Sequence, residues 1–337
     1  MKKLAAITVL ALVGAGCTGS PEASSRSPAG SPSPPAETAS PSSPEPSPNP
    51  RAEDHIVWVA VEDERRVVAV DVRARKLIRR FPVSGGPHNI TVARDGTVAV
   101  SLPDVGRIAL IRGGRLREVD LGGSPHDVKP WGAFVVVANE GASLIQVVST
   151  RGRIVRAIPL RAEPHDLAPS DRDTTVWASL NGRDELAAVE PGGGSEPRYV
   201  ATGESPHDLL FGPNRGGLWV TDWDGDVHVF SARGRLLQTL RLGREAHHLA
   251  FRPDGSQVWI TDHDARRVFV VDTEDRRLLD SFALKGAPHH VAMTSGGTRA
   301  VVADHERGSV LIFDAERLRR VGRIPVGAGP HGIWAAS

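Results

Sequence analysis

The dipeptide Pro-His recurs down this chain at nearly even intervals, and that interval constrains what the chain can fold into. The units "GGPHNI", "GSPHDV", "AEPHDL", "ESPHDL", "EAHHLA", "GAPHHV" and "GPHGIW" align on His88, His126, His165, His207, His247, His289 and His331. The spacings are 38, 39, 42, 40, 42 and 42 residues; proline precedes six of the seven histidines, and Ala246 takes the remaining place. Between histidines, short β-branched runs alternate with Gly, Asp and Asn turns, and no stretch shows a helical period. One unit displays the plan. "HHLAFRP" (247–253), "QVWITD" (257–262), "RVFVVDT" (267–273) and "LLDSFAL" (278–284) read as strands A to D, separated by turn residues such as "DGS" and "HDAR". Four short strands about every 40 residues are the signature of propeller blades.

The ends of the repeat region do not coincide with blade boundaries. It opens on "HIVWVAV", which matches strand B, and the chain finishes on "GPHGIWAA", which matches a lone strand A. The last strand is therefore predicted to complete the blade formed by residues 55–83 and close the ring, which removes free sheet edges. The expectation is an all-β, seven-bladed β-propeller over residues 54–337.

The first residues read differently. "MKK" is a cationic start, "LAAITVLALVGA" is an apolar run too short for a membrane span, and "GAGC" follows. Small residues before the single cysteine resemble the lipobox of bacterial lipoproteins. The resemblance implies a signal peptide over 1–16, a lipid on the sulfur of Cys17, and a cell-membrane lipoprotein facing outside the cytoplasm. An ordinary secretory signal with an incidental cysteine is the alternative. Residues 17–53 join that cysteine to a Pro/Ser-rich linker, which has too few large apolar residues to bury a core and is expected to be a disordered tether. At about 3.1 Å per residue it reaches roughly 110 Å when fully extended. One cysteine excludes an intrachain disulfide framework and Cys-cluster metal sites, so any metal must use His, Asp, Glu or Asn. Lys+Arg is 41 against 40 Asp+Glu, and that balance does not call for a nucleic-acid partner.

The segment "PHHVAMTSGGTRAVVADHERGSVLIFDAERLRRVGRIPVG" resembles the YVTN repeat of YncE-type seven-bladed propellers. The P-H-x-hydrophobic unit is also similar to repeats of virginiamycin B lyase. The resemblance implies that strand A lines the central channel and that the D–A and B–C connections share the top face. The seven histidines would then ring the upper mouth of the channel.

Two readings of that ring stand side by side. One is structural, with one histidine per blade capping a turn or bonding its neighbour. The other is a ligand or metal site, because imidazole suits zinc, copper and other transition metals. Further polar groups gather on blades five to seven: His248 and His290 follow ring histidines, and the B–C turns add Asp222, Trp223, Asp262, His263, Asp304 and His305. These form a predicted second ring around a small ligand. The lyase resemblance implies an enzymatic alternative, with His289, His290, His305 and His331 as acid–base candidates beside Mg²⁺ on a cyclic ester. A protein-interaction scaffold with structural histidines is a third reading. Histidines near their ordinary pKa would release metal between about pH 7 and 5. Finally, the C–D turns are rich in arginine ("RARK", "GGRLR", "RGRIVR", "RGR", "EDRR", "AERLRR"). They make the bottom face a candidate surface for anionic lipid or wall polymer.

Overall fold

The computed structural model describes residues 55–170, 174–202 and 205–335. The signal segment, Cys17 and the linker to residue 53 lie outside the described residues. Among the described residues, 28 strands form seven four-stranded antiparallel sheets. The second blade runs from β4 (Ile90–Val92) to β7 (Arg115–Asp120), the third from β8 (Pro125–Trp131) to β11 (Ile154–Pro159), and the fourth from β12 (Pro164–Pro169) to β15 (Arg198–Ala201). The fifth runs from β16 (Pro206–Phe211) to β19 (Leu236–Arg241), the sixth from β20 (Ala246–Phe251) to β23 (Arg277–Ala283), and the seventh from β24 (Pro288–Met293) to β27 (Arg319–Pro325).

The first blade takes its inner strand from the other end of the chain. β28 (Pro330–Ala335) pairs antiparallel with β1 (Ile56–Val61), followed outward by β2 (Arg66–Asp71) and β3 (Lys76–Pro82). Trp58 stands opposite Trp334 and Val59 opposite Ile333. The fold is thus the seven-bladed propeller expected from the repeat, closed by the C-terminal strand.

The middle strands are apolar on both faces because each blade is packed by a neighbour on either side. Seven core clusters result, each spanning two adjacent blades. Val57, Val59, Val68 and Val70 of the first blade meet Val301, Ala303, Val310 and Ile312 of the seventh. Trp177, Trp219 and Trp259 are fully buried in such interfaces, which is the packing role their strand-B positions suggest. The outer strands carry the exposed charge: in β3, Lys76, Arg79 and Arg80 are exposed while Leu77 and Phe81 are half-buried.

Deleting residues 329–337 removes both the inner ladder of the first blade and its contacts with the seventh. The truncated protein is expected to lose at least about 10 °C in Tm, the shift that roughly 4 kcal/mol gives in a domain of this size. A melt matching that of the full chain in calorimetry would contradict the closure.

Candidate metal centre

The inner strands are irregular at one repeated place. Their register slips between Pro125 and Val128, Pro164 and Leu167, Pro206 and Leu209, Ala246 and Leu249, and Pro288 and Val291. The extra residue falls on the His-x pair. A bulge of this kind re-aims side chains, and here both members of the pair line the channel. In the second blade the ladder begins only at Ile90, after His88 and Asn89. Gly332 occupies the x position of β28 because its backbone runs against the second blade: its amide donates to His88 O at 3.0 Å, and a Cβ there would lie 2.3 Å from that oxygen.

A buried hydroxyl holds the residue after the histidine in four blades, of which the fourth, fifth and sixth carry the bulge. Ser101 Oγ accepts from Asn89 N (2.9 Å), Ser179 Oγ from Asp166 N (3.0 Å), Thr221 Oγ1 from Asp208 N (3.0 Å) and Thr261 Oγ1 from His248 N (3.0 Å). Each hydroxyl then donates to the histidine carbonyl of the next blade: Ser101 to His126 O (2.6 Å), Ser179 to His207 O (2.5 Å), Thr221 to His247 O (2.8 Å) and Thr261 to His289 O. Sequence reasoning missed this column. Its signal was present, a Ser or Thr just before the B–C turn in four of seven repeats, but a hydroxyl residue in a strand resembles ordinary β composition.

The seven Pro-His imidazoles form a closed ring. Successive ring centroids are 4.3, 3.9, 4.8, 4.3, 4.5 and 4.2 Å apart from His88 round to His331, and 3.7 Å closes the circle. A heptagon with such sides has a radius of about 5 Å, roughly twice a Zn–N bond of about 2.0–2.1 Å, so no single ion reaches all seven. The B–C turns set a tier above the ring. Trp223 covers His207 at 4.1 Å, His263 approaches His289 at 4.6 Å, and His305 approaches His289 at 4.6 Å. Three triads bring ligand atoms within 4.8 Å of one another from imidazoles and carboxylates of this upper region: His247–His263–His289, Glu62–His88–His331 and His126–Glu140–His165. His207–His247–His248 forms another.

Several imidazoles have one nitrogen already committed. His207 Nδ1 lies 2.8 Å from His247 O, and His126 Nδ1 lies 3.1 Å from His165 O, so both donate from Nδ1. His165 Nδ1 lies 2.5 Å from Glu140 Oε1, and its buried Nε2 has no partner among the described residues. His88, His247, His289 and His331 leave Nδ1 buried without a partner. Burial pushes His126 and His165 down to about 4 and His289 down to about 3. It drives His88, His207, His247 and His331 well below the ordinary imidazole value, with neighbouring imidazoles adding to the effect. The ring is neutral at pH 7, which is the protonation state a metal binds.

Below the ring lies a second buried layer, made of Asn89, Asp127, Asp166, Asp208, His248 and His290 with Lys129. Lys129 Nζ lies 2.9 Å from Asp127, and His248 Nδ1 lies 3.1 Å from Asp208 Oδ2. Burial pulls the Lys129 ammonium down, but the carboxylates of Asp127, Asp208 and Asp166 outweigh it and raise its pKa. The predicted site carboxylates of the B–C turns stand elsewhere. Asp222 accepts from the Asp224 and Asp226 amides and pairs with His228 at 2.8 Å; Asp262 accepts from the amides of Arg244, Glu245 and Ala265. Asp304 accepts from the Arg307 amide. They pin turns, whereas the histidines and Trp223 reach the channel. Two acids that sequence reasoning did not single out do come to the ring: Glu62 and Glu140.

No protein-family profile matches the chain, and no curated sequence does, so no family match stands behind the YVTN-type resemblance. Solved structures do match, at identities that show the fold alone. A functionally unknown protein from Desulfotomaculum acetoxidans has a TM-score of 0.73 at 13% identity, over 83% of this chain and 98% of that one. Apo AztD from Citrobacter koseri has 0.66 at 14%, over 83% and 97%. Virginiamycin B lyase from Staphylococcus aureus has 0.64 at 15%, over 73% and 87%. Fold and site together define a seven-bladed β-propeller with a buried, histidine-lined channel able to hold a metal.

The depressed imidazoles make stability pH-dependent. The unfolded chain takes up protons as pH falls below about 6.5, whereas the folded ring resists until near 4, so acid favours unfolding. Metal-free protein is expected to hold its stability above about pH 6.5 and lose up to about 1.4 kcal/mol per pH unit for each such imidazole between there and 4. Urea melts at stepped pH measure this; a flat profile would contradict the neutral ring.

Proposed function

We propose that the protein is an exported binding module that holds a divalent transition metal, zinc or copper, on part of its histidine ring. The observation that carries this reading is the closed ring of neutral imidazoles with buried, unpartnered nitrogens. Each unsatisfied buried polar atom costs about 1–3 kcal/mol, which coordination offsets. The Glu140–His165 contact supports it, because a carboxylate on one ring nitrogen fixes the tautomer and orients the other toward a metal. The strongest donor set is the all-imidazole face around His247, which belongs to two triads.

The lyase-like alternative has one observation in its favour: His289 stands 4.2 Å from His331 and 4.6 Å from His305, and His290 stands 5.1 Å from His331. Acid–base work near neutral pH needs a group that titrates there, and burial has moved His289, His290 and His331 far below it. The metal-binding reading is therefore preferred. A membrane tether through Cys17 would attach on the side away from the ring, since His55 O accepts from Val72 N beside the β2–β3 turn. In support of a basic surface there for anionic lipid or wall polymer, Arg73, Arg75, Arg299, Arg317 and Arg319 line one cavity of about 550 Å³ in which Asp314 is the acid.

Tag-free protein is expected to purify with at least one equivalent of zinc or copper by elemental analysis. His247→Ala should weaken binding at least tenfold, and more than His88→Ala. Because burial lowers the imidazoles, metal should be retained to about pH 5 and released toward 4, below the range that ordinary histidines would give. Wild-type protein that neither carries nor takes up either metal would overturn the reading.

A further inference from the structure

The channel does not end at the polar layer. Beneath it is a cavity of about 480 Å³, within the range of small-molecule pockets, about 300–1,000 Å³. None of the seven ring histidines lines it. Its ceiling is Asn89, Asp127, Lys129, Asp208, His248 and His290, and its walls are the lower halves of the inner strands. Leu210, Phe211, Phe251, Met293, Ile333 and Trp334 make those walls apolar, and Pro213 and Pro253 place its mouth at the A–B turns. These side chains also pack the inter-blade cores, and the surface they have left faces the cavity.

The ceiling has no free charge to recruit an ion. Lys129 is paired with Asp127. Asp208 receives the Leu209 amide at 2.8 Å, the Leu249 amide at 3.0 Å and His248 Nδ1 at 3.1 Å. What remains is a set of buried polar atoms without partners among the described residues: Asn89 Oδ1 and His290 Nε2 in the ceiling, and Trp334 Nε1 in the wall. Asn89 is 2% exposed and His290 8%. An amide oxygen can only accept, so the ceiling asks for a donor, while the indole N–H offers one hydrogen bond back.

We propose that this lower channel binds an uncharged, largely apolar organic molecule with an N–H or O–H head, seated under Asn89 and His290 against the Phe211, Phe251 and Trp334 walls. The site lies below the seven ring histidines, has His248 in common with the His207–His247–His248 triad, and is occupied with or without metal. An anion would face the carboxylates of Asp127 and Asp208, a cation would face the Lys129 ammonium, and either would give up its hydration to enter an apolar-walled space.

Two fluorescent probes of nearly the same shape test this on the full protein. N-phenyl-1-naphthylamine is neutral with one N–H; 8-anilinonaphthalene-1-sulfonate adds a sulfonate. The neutral probe is expected to bind saturably at one per chain, at least tenfold more tightly than the sulfonate, and unchanged by EDTA. Ala250→Phe and Leu210→Trp fill the cavity from different blades, and each should weaken the neutral probe at least tenfold; if one fails to fold, the other decides. His247→Ala, above the polar layer, should leave it unchanged. Absence of saturable binding, equal affinity for the sulfonate, insensitivity to the filling substitutions, or loss on His247→Ala would each overturn the proposal.

Discussion

A buried hydroxyl that accepts one amide and donates to one carbonyl keeps the centre of this propeller in order. Inner strands of neighbouring blades converge without a shared backbone ladder, so their polar groups must be satisfied sideways. Ser101, Ser179, Thr221 and Thr261 do this by accepting from the residue after their own blade's histidine and donating to the histidine carbonyl of the next blade. The bulge that these bonds stabilise turns both residues of the His-x pair into the channel. Without it, the pair would alternate between opposite faces of its sheet, as strand side chains do, and the imidazoles would not line up.

The ring so formed is chemically expensive. Imidazoles packed at about 4 Å cannot be protonated together, and burial keeps them neutral. Neutral imidazole is also the better ligand, so one desolvation effect lowers stability in acid and prepares the site for metal. The ring is seven-membered but its surroundings are not symmetric. Carboxylates from Glu62 and Glu140 attend the histidines of the first to fourth blades, whereas His248, His263, His290 and His305 attend those of the sixth and seventh. Mixed nitrogen–oxygen and all-nitrogen donor sets therefore sit on opposite sides of one channel.

The architecture was legible in the sequence because a 40-residue period, a first blade that lacks its strand A and a lone strand A at the end leave one way to close a ring. The histidine column was legible because Pro-His marks it seven times. The rest depends on what the bulge brings together across blades. Lys129 is one basic residue among many in the sequence, and only the fold places it between Asp127 and Asp208. Glu62 and Glu140 fall in different repeats with no shared motif, and proximity to His88 and His165 makes them ligand candidates. Asp262 illustrates the converse. Its place in an acidic turn suggests a site, but three backbone amides occupy its carboxylate. The apolar lower channel left no sequence mark, because Phe251 and Met293 look like any strand residue.

X-ray absorption at the metal edge of protein loaded with one equivalent of zinc or copper tests the central claim most directly. The account predicts a first shell dominated by nitrogen at about 2.0–2.1 Å, with the outer-shell scattering of at least three imidazoles, and loss of part of that signal in His247→Ala. A shell of oxygen alone, or a spectrum indifferent to that substitution, would contradict it.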